Sequence, residues 1–156
     1  MEGDGPRADR GRVLGLDPGT RRVGVAISDP GRIIATPLEV IDQRRIDAGT
    51  RIRDLCREHE VAVIVVGMPV GLSGREGPAT DVARELGTRV TASTGQDVVY
   101  WDERFTSVTA EAALLQSGMR RGQRRDRRDM VAAAVILQGY LDHHQRADDD
   151  DTTNND

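Results

Sequence analysis

The sequence predicts an α/β fold: a mixed five-stranded sheet with helices on both faces. Three observations predict it. Short aliphatic runs separated by glycine turns open the chain, helical periodicity replaces them after residue 45, and residues 61–66 are apolar throughout, as a strand covered on both faces requires. Residues 12–17 and 23–28 flank Pro18-Gly19-Thr20, and residues 33–40 follow Asp29-Pro30-Gly31. Turns this short join antiparallel neighbours, so the first three strands form a meander. Ile46, Ile52, Leu55 and Cys56 then recur at helical spacing up to His59. Beyond strand 61–66 lie a Gly/Pro-rich loop at 68–79, a helix that Thr80 can cap, running to about Ala92, and a strand at 98–101. Ser107 can cap a helix to about Ser117, and a last helix covers 128–144. Right-handed crossovers set the later strands parallel to the first and beside it.

A chain of 156 residues is one domain, placed at 12–145; the polar stretches 1–11 and 146–156 read as disordered tails. The formal charge of −4 arises in the last nine residues, which hold Asp148, Asp149, Asp150, Asp151 and Asp156. Without those five, 22 arginines meet 21 acids, so the domain carries no acidity that would repel a nucleic acid. Every basic residue is Arg, whose planar fork grips phosphate through two hydrogen bonds. The lone Cys56 excludes an internal disulfide and reads as a small buried apolar residue. His59, His143 and His144 form no zinc spacing with it. No apolar run approaches the roughly 20 residues of a membrane span, and residues 1–12 lack a secretory core, so a cytoplasmic location without a membrane partner is expected.

In open sheets of this kind, ligands gather beyond the C-terminal ends of the parallel strands. Asp17 ends the first strand, Asp102-Glu103-Arg104 ends the fifth, and Asp129 opens the last helix on the face of Ala133, Ile136 and Tyr140. Ala132 and Ala133 are small enough to let that helix come close to the sheet. Strand alternation sets Glu103 on the face of Val99 and Trp101, and Asp102 on that of Val98 and Tyr100. Asp102 remains the rival of Glu103, and Asp126, one turn earlier, that of Asp129. Three carboxylates within about 5 Å repel by roughly 3 kcal/mol per pair at a dielectric near 20, so protonation or a hard divalent cation must offset them. Oxygen ligands without His or Cys suit Mg²⁺ or Mn²⁺, and two such ions can drive phosphodiester hydrolysis. Residues 120–128 hold six arginines directly before Asp129 and read as a phosphate-gripping loop. Gly67-Met68-Pro69 with Gly71, Gly74 and Gly77 forms a rim over the same edge. Tyr100, Trp101, Phe105 and Tyr140 are the only aromatics and read as core rather than as base-stacking platforms.

The strand order is that of the ribonuclease H-like fold, which hosts several chemistries. Four pieces in order resemble one bacterial family within it, the YqgF or RuvX proteins. They are Gly15-Leu16-Asp17-Pro18-Gly19-Thr20-Arg21-Arg22-Val23-Gly24-Val25-Ala26; Gly67-Met68-Pro69 with Gly74 and Gly77-Pro78; Asp102-Glu103-Arg104-Phe105-Thr106-Ser107; and Asp129 through Ala132-Ala133-Ala134-Val135-Ile136-Leu137-Gln138. The resemblance implies a small metal-dependent nuclease with Asp17, Glu103 and Asp129 as catalytic acids and ligands of Mg²⁺ or Mn²⁺. Its implied task is processing the 5′ end of the 16S rRNA precursor during ribosome biogenesis. The alternative is a Holliday junction resolvase on branched DNA, which would need a homodimer for symmetric cutting. Unlike RuvC-type resolvases, the strand ending at Gly67 carries no acid there. Arg22, Arg104, Arg120, Arg121, Arg124 and Arg125 are the expected nucleic-acid contacts, and the acidic tail could mimic nucleic acid in the arginine loop. Two further readings differ in class. Leu16-Asp17-Pro18-Gly19-Thr20 also resembles the phosphate loop of actin-like ATPases, though a chain this short supplies no second lobe. A binding module without catalysis is the other, and it would have no use for a cluster of like charges.

Overall fold

The computed structural model describes residues 11–69, 77–103 and 121–153. In chain order the elements are β1 (Arg12–Asp17), β2 (Arg22–Ser28), β3 (Ala35–Asp42), α1 (Ala48–Glu58), β4 (Val61–Met68), α2 (Pro78–Thr94), β5 (Val98–Asp102) and α3 (Arg121–Thr153). The sheet runs β3-β2-β1-β4-β5. The β1–β2 and β2–β3 pairs are antiparallel, and β4 lies parallel to both β1 and β5. This is the mixed five-stranded sheet that the sequence predicts. The helix expected over 107–117 lies outside the described residues, as do residues 70–76 of the loop.

Strand alternation splits the interior into two cores. Leu14, Leu16, Val23, Val25, Ile64 and Val66 pack with Ile52, Leu55, Leu86 and Val90 of α1 and α2. Val13, Ala26 and Val65 face the opposite way and meet Ala133, Ile136, Leu137 and Tyr140 of α3. On that second face the helix lies very close: a Cβ on Gly15 would come within 2.7 Å of Leu137 Cβ and 3.2 Å of the Ala133 carbonyl. Ala133 is fully buried at this approach, as expected of it, whereas Ala132 is half-buried.

Several boundaries differ from the sequence reading, each for a local reason. β3 starts at Ala35 because the Asp29 carboxylate accepts the amides of Ile33 and Ile34, both at 2.8 Å, and takes them out of the ladder. α1 starts after Ile46, because the Asp47 side chain accepts from Thr50 N at 2.9 Å and caps it. In α2 the N-cap is Gly77 with Pro78 following. Thr80 is therefore three residues inside, accepting from Gly77 N at 3.4 Å and donating to the Pro69 carbonyl at 3.3 Å. α3 starts at Arg121 and continues to Thr153. Arg121, Arg124, Arg125, Arg127 and Arg128, expected in a loop, thus occupy its first turns, and residues 146–153 of the stretch expected to be a disordered tail are helical. Once a helix is nucleated and anchored by packing, each added residue costs little, so composition alone underestimates its length.

Candidate active site

The site is built on one level of the sheet. In the β1–β2 register Asp17 pairs with Gly24. In the β1–β4 register Leu16 pairs with Val66, so one step further sets Asp17 beside Gly67. Asp17 therefore ends the central strand between two glycines, on the face that carries Val13 and α3. A Cβ on Gly24 would overlap the backbone carbonyl of Asp129. A Cβ on Gly67 would stand 2.6 Å from Ile136 Cδ1 and 2.9 Å from Glu103 Oε1. The missing side chains are thus replaced from above, by the start of the Asp129 turn on one side and the Glu103 carboxylate on the other. Asp17, Glu103 and Asp129 arrive from three separate elements at one end of one face.

The rivals are elsewhere. β5 pairs Met68 with Asp102, and Trp101 packs against the α3 core while Val98 packs against the other. Alternation thus sends Asp102 to the face of α1 and α2. Asp126 is exposed, while Asp129 is half-buried. Arg22, the first residue of β2, shares the face of Gly24 and Ala26, and its Nε lies 3.2 Å from Asp129 Oδ2, both side chains being about 30% exposed at most. The acid is therefore held by an ion pair, and among the described residues no three Asp, Glu, His or Cys side chains form a ready metal cage. Arg104 and Arg120 lie outside the described residues. Arg121, Arg124 and Arg125 belong to the first turns of α3, with positions 121 and 125 two turns and one turn before Asp129.

The turn after Asp17 is braced from the side of α2, opposite α3. Gln43 Nε2 donates to the carbonyls of Gly19 at 2.9 Å and Thr20 at 3.3 Å, and its Oε1 accepts from Arg89 of α2 at 2.7 Å. Gln43 N also donates to the Arg21 carbonyl at 2.8 Å. Neither the bracing by Gln43 nor the cradling role of Gly24 and Gly67 is legible in the sequence, since each depends on strand register. Of the aromatics expected in the core, Tyr140 is buried and meets Trp101 edge-on at 5.8 Å, with His143 5.3 Å from Trp101; Tyr100 at the sheet edge is exposed, and Phe105 lies outside the described residues. Burial pushes the Cys56 thiol up to about 11, as suits an unreactive core residue.

A sequence model described as "RuvX: Holliday junction resolvase" matches residues 11–143. The chain belongs to the RuvX family. Curated relatives named "Putative pre-16S rRNA nuclease" include one from Agathobacter rectalis, 38% identical over 136 residues, covering 85% of this chain and 95% of the relative. Another, from Symbiobacterium thermophilum, is 41% identical over 132 residues, covering 84% and 92%. Among solved structures, Thermus thermophilus RuvC aligns with a TM-score of 0.55 at 15% identity, over 85% of this chain and 96% of RuvC. The same protein in complex with a Holliday junction aligns at 0.53 and 15%, over 86% and 96%. These structural matches establish the ribonuclease H-like fold for this RuvX-family chain.

Proposed function

We propose that this RuvX-family protein is a divalent-metal-dependent nuclease, that Asp17, Glu103 and Asp129 are its catalytic acids, and that its substrate is the 5′ end of the 16S rRNA precursor. The observation that carries this reading is the level shared by Gly24, Asp17 and Gly67, with Asp129 and Glu103 brought over the two glycines. The names of the curated relatives support the rRNA substrate, and a cytoplasmic setting is proposed together with that substrate.

The donor set fits Mg²⁺ or Mn²⁺. It is all carboxylate oxygen, and Mg²⁺ binds through one or two carboxylates while keeping several waters, so a closed protein cage is unnecessary. Asp17 and Glu103 would hold the ion, with Asp129 as the third ligand. When bound, the metal would supply an activated water and charge stabilisation for phosphodiester hydrolysis. The chain's own residues do the positioning. Gly24 and Gly67 admit the acids, Gln43 holds the turn beside Asp17, and arginines at the start of α3 bind the substrate backbone on the approach to Asp129.

The second reading is cleavage of four-way DNA junctions, supported by the family description and by the junction-bound RuvC match; symmetric cutting would in addition need a homodimer. One experiment tests both: a 16S precursor end and a synthetic junction are incubated side by side with Mg²⁺ or Mn²⁺. Metal-dependent cutting of the precursor, lost in Asp17→Asn, is expected. Junction cutting alone would replace the substrate, and equal cutting by wild type and Asp17→Asn would remove the enzyme assignment.

A further inference from the structure

We infer that Arg22 is a resident counter-cation of the acid site: it competes with the metal for Asp129 and releases that carboxylate when a substrate phosphate takes its guanidinium. The inference rests on the nuclease reading and adds an order to it, with metal loading strengthened by nucleic acid.

The ion pair is placed to do this. Arg22 and Gly24 lie on the same face of β2, and the turn that carries Asp129 lies over Gly24. The guanidinium therefore reaches Asp129 from the open end of the sheet, the side from which a phosphate would approach. Its Nε is 3.2 Å from Asp129 Oδ2. Across the β2–β3 register Arg22 faces Asp42, but that carboxylate is engaged by Arg44 at 3.2 Å and Arg45 at 3.8 Å. Arg22 is thus committed to the site rather than to the neighbouring acid.

Two physical facts turn this placement into a switch. Guanidinium does not lose its proton in proteins, so the positive charge leaves Asp129 only if the side chain moves. It is also the group best matched to phosphate, through two parallel hydrogen bonds. An ion binding the ligand-free protein must displace Arg22, and its apparent affinity falls by the fraction of sites in which Asp129 is available. A phosphate that engages Arg22 removes that competition. By linkage the metal then strengthens substrate binding by the same factor, and couplings of this kind are typically about 5- to 150-fold.

The test measures Mn²⁺ binding directly, by the electron paramagnetic resonance signal of the free ion, on the full chain. Arg22→Gln is expected to bind Mn²⁺ roughly tenfold more tightly than wild type, with Arg22→Lys close to wild type. An oligonucleotide protected from cleavage by phosphorothioate linkages should tighten Mn²⁺ binding to wild type and leave Arg22→Gln unchanged. Damage to the fold would weaken binding, the opposite sign. Equal or weaker binding by Arg22→Gln would overturn the inference while leaving the nuclease reading intact. Absence of Mn²⁺ binding in wild type, Arg22→Gln and the oligonucleotide complex would overturn both.

Discussion

Asp102 and Glu103 are neighbours in the chain and opposites in the sheet. The two-residue period is readable from the amino-acid order alone, because Trp101 and Val98 announce which face is which. What sequence does not supply is the depth of the arrangement. A glycine at position 24 or 67 is one of 17 in the chain, and only the register reveals that Asp129 and Glu103 occupy the space their side chains would fill. The same limit hides the Arg22–Asp129 pair, which joins residues far apart in sequence through a helix that crosses above β2. The face assignment gives a sharp contrast. Glu103→Gln should lower the rate of metal-dependent cleavage by on the order of 100-fold or more, as loss of a metal ligand exceeds the usual effect of losing its support. Asp102→Asn should stay within a few-fold of wild type. Single-turnover cleavage of the same substrate by both variants checks this, and a reversed ranking would transfer the role to Asp102.

The elements themselves are legible where periodicity is strong and shift where a polar side chain redirects the backbone. β1, β2, β4 and β5 match their apolar runs closely. β3 and α1 begin about two residues later than their apolar patterns suggest, because Asp29 and Asp47 accept backbone amides that a strand or an earlier helix start would otherwise use. Side-chain oxygens of this kind compete with regular structure, and the sequence does not say which amide they will choose. Asp47 offers a test. Its carboxylate receives the Thr50 amide first and the Thr50 hydroxyl second, at 2.9 and 3.0 Å, and its pKa lies below the usual 3.8 despite a small opposing effect of burial. A carboxyl whose folded pKa is depressed stabilises the protein above its unfolded pKa, and that stabilisation is lost as pH falls through the folded value. Asp47→Ala should therefore cost about 1 kcal/mol near neutral pH, with the gap from wild type closing below pH ~4. Asp47→Asn, which caps without titrating, should lose no such increment on acidification. Urea midpoints at pH 7 and pH 3 would show it, and a pH-independent Asp47→Ala deficit would assign the cost to packing instead.

Across the whole molecule, charge is distributed along one helix. α3 begins in the arginine run, passes Asp129, packs through Leu141, and ends among acidic residues. From position 125 to position 148 is about 35 Å at 1.5 Å per residue. Within one chain, the helix to Thr153 leads positions 148–151 away from the arginine run, which argues against the tail acting as a nucleic-acid mimic there. Truncation after Ala147 should leave nucleic-acid affinity within a factor of two of the full chain, read by fluorescence anisotropy; a clear gain would bring the tail back as a competitor. The other end of the helix is where electrostatics should act. Helical register places position 125 one turn before Asp129, so a phosphate held there would lead the backbone of the substrate toward the acids. Each neutralised phosphate contributes about 0.7 to the salt slope of binding for a single strand and about 0.9 for a duplex. Glutamate at positions 124 and 125 together should weaken binding at low salt and flatten the slope by roughly that amount for each phosphate no longer neutralised. The slope also reports the form of nucleic acid held at the site, since paired and unpaired strands differ in charge density. An unchanged slope in the Arg124→Glu, Arg125→Glu protein would mean that these arginines only solvate the start of the helix, and phosphate recognition would then fall to Arg22 and the other arginines of the chain.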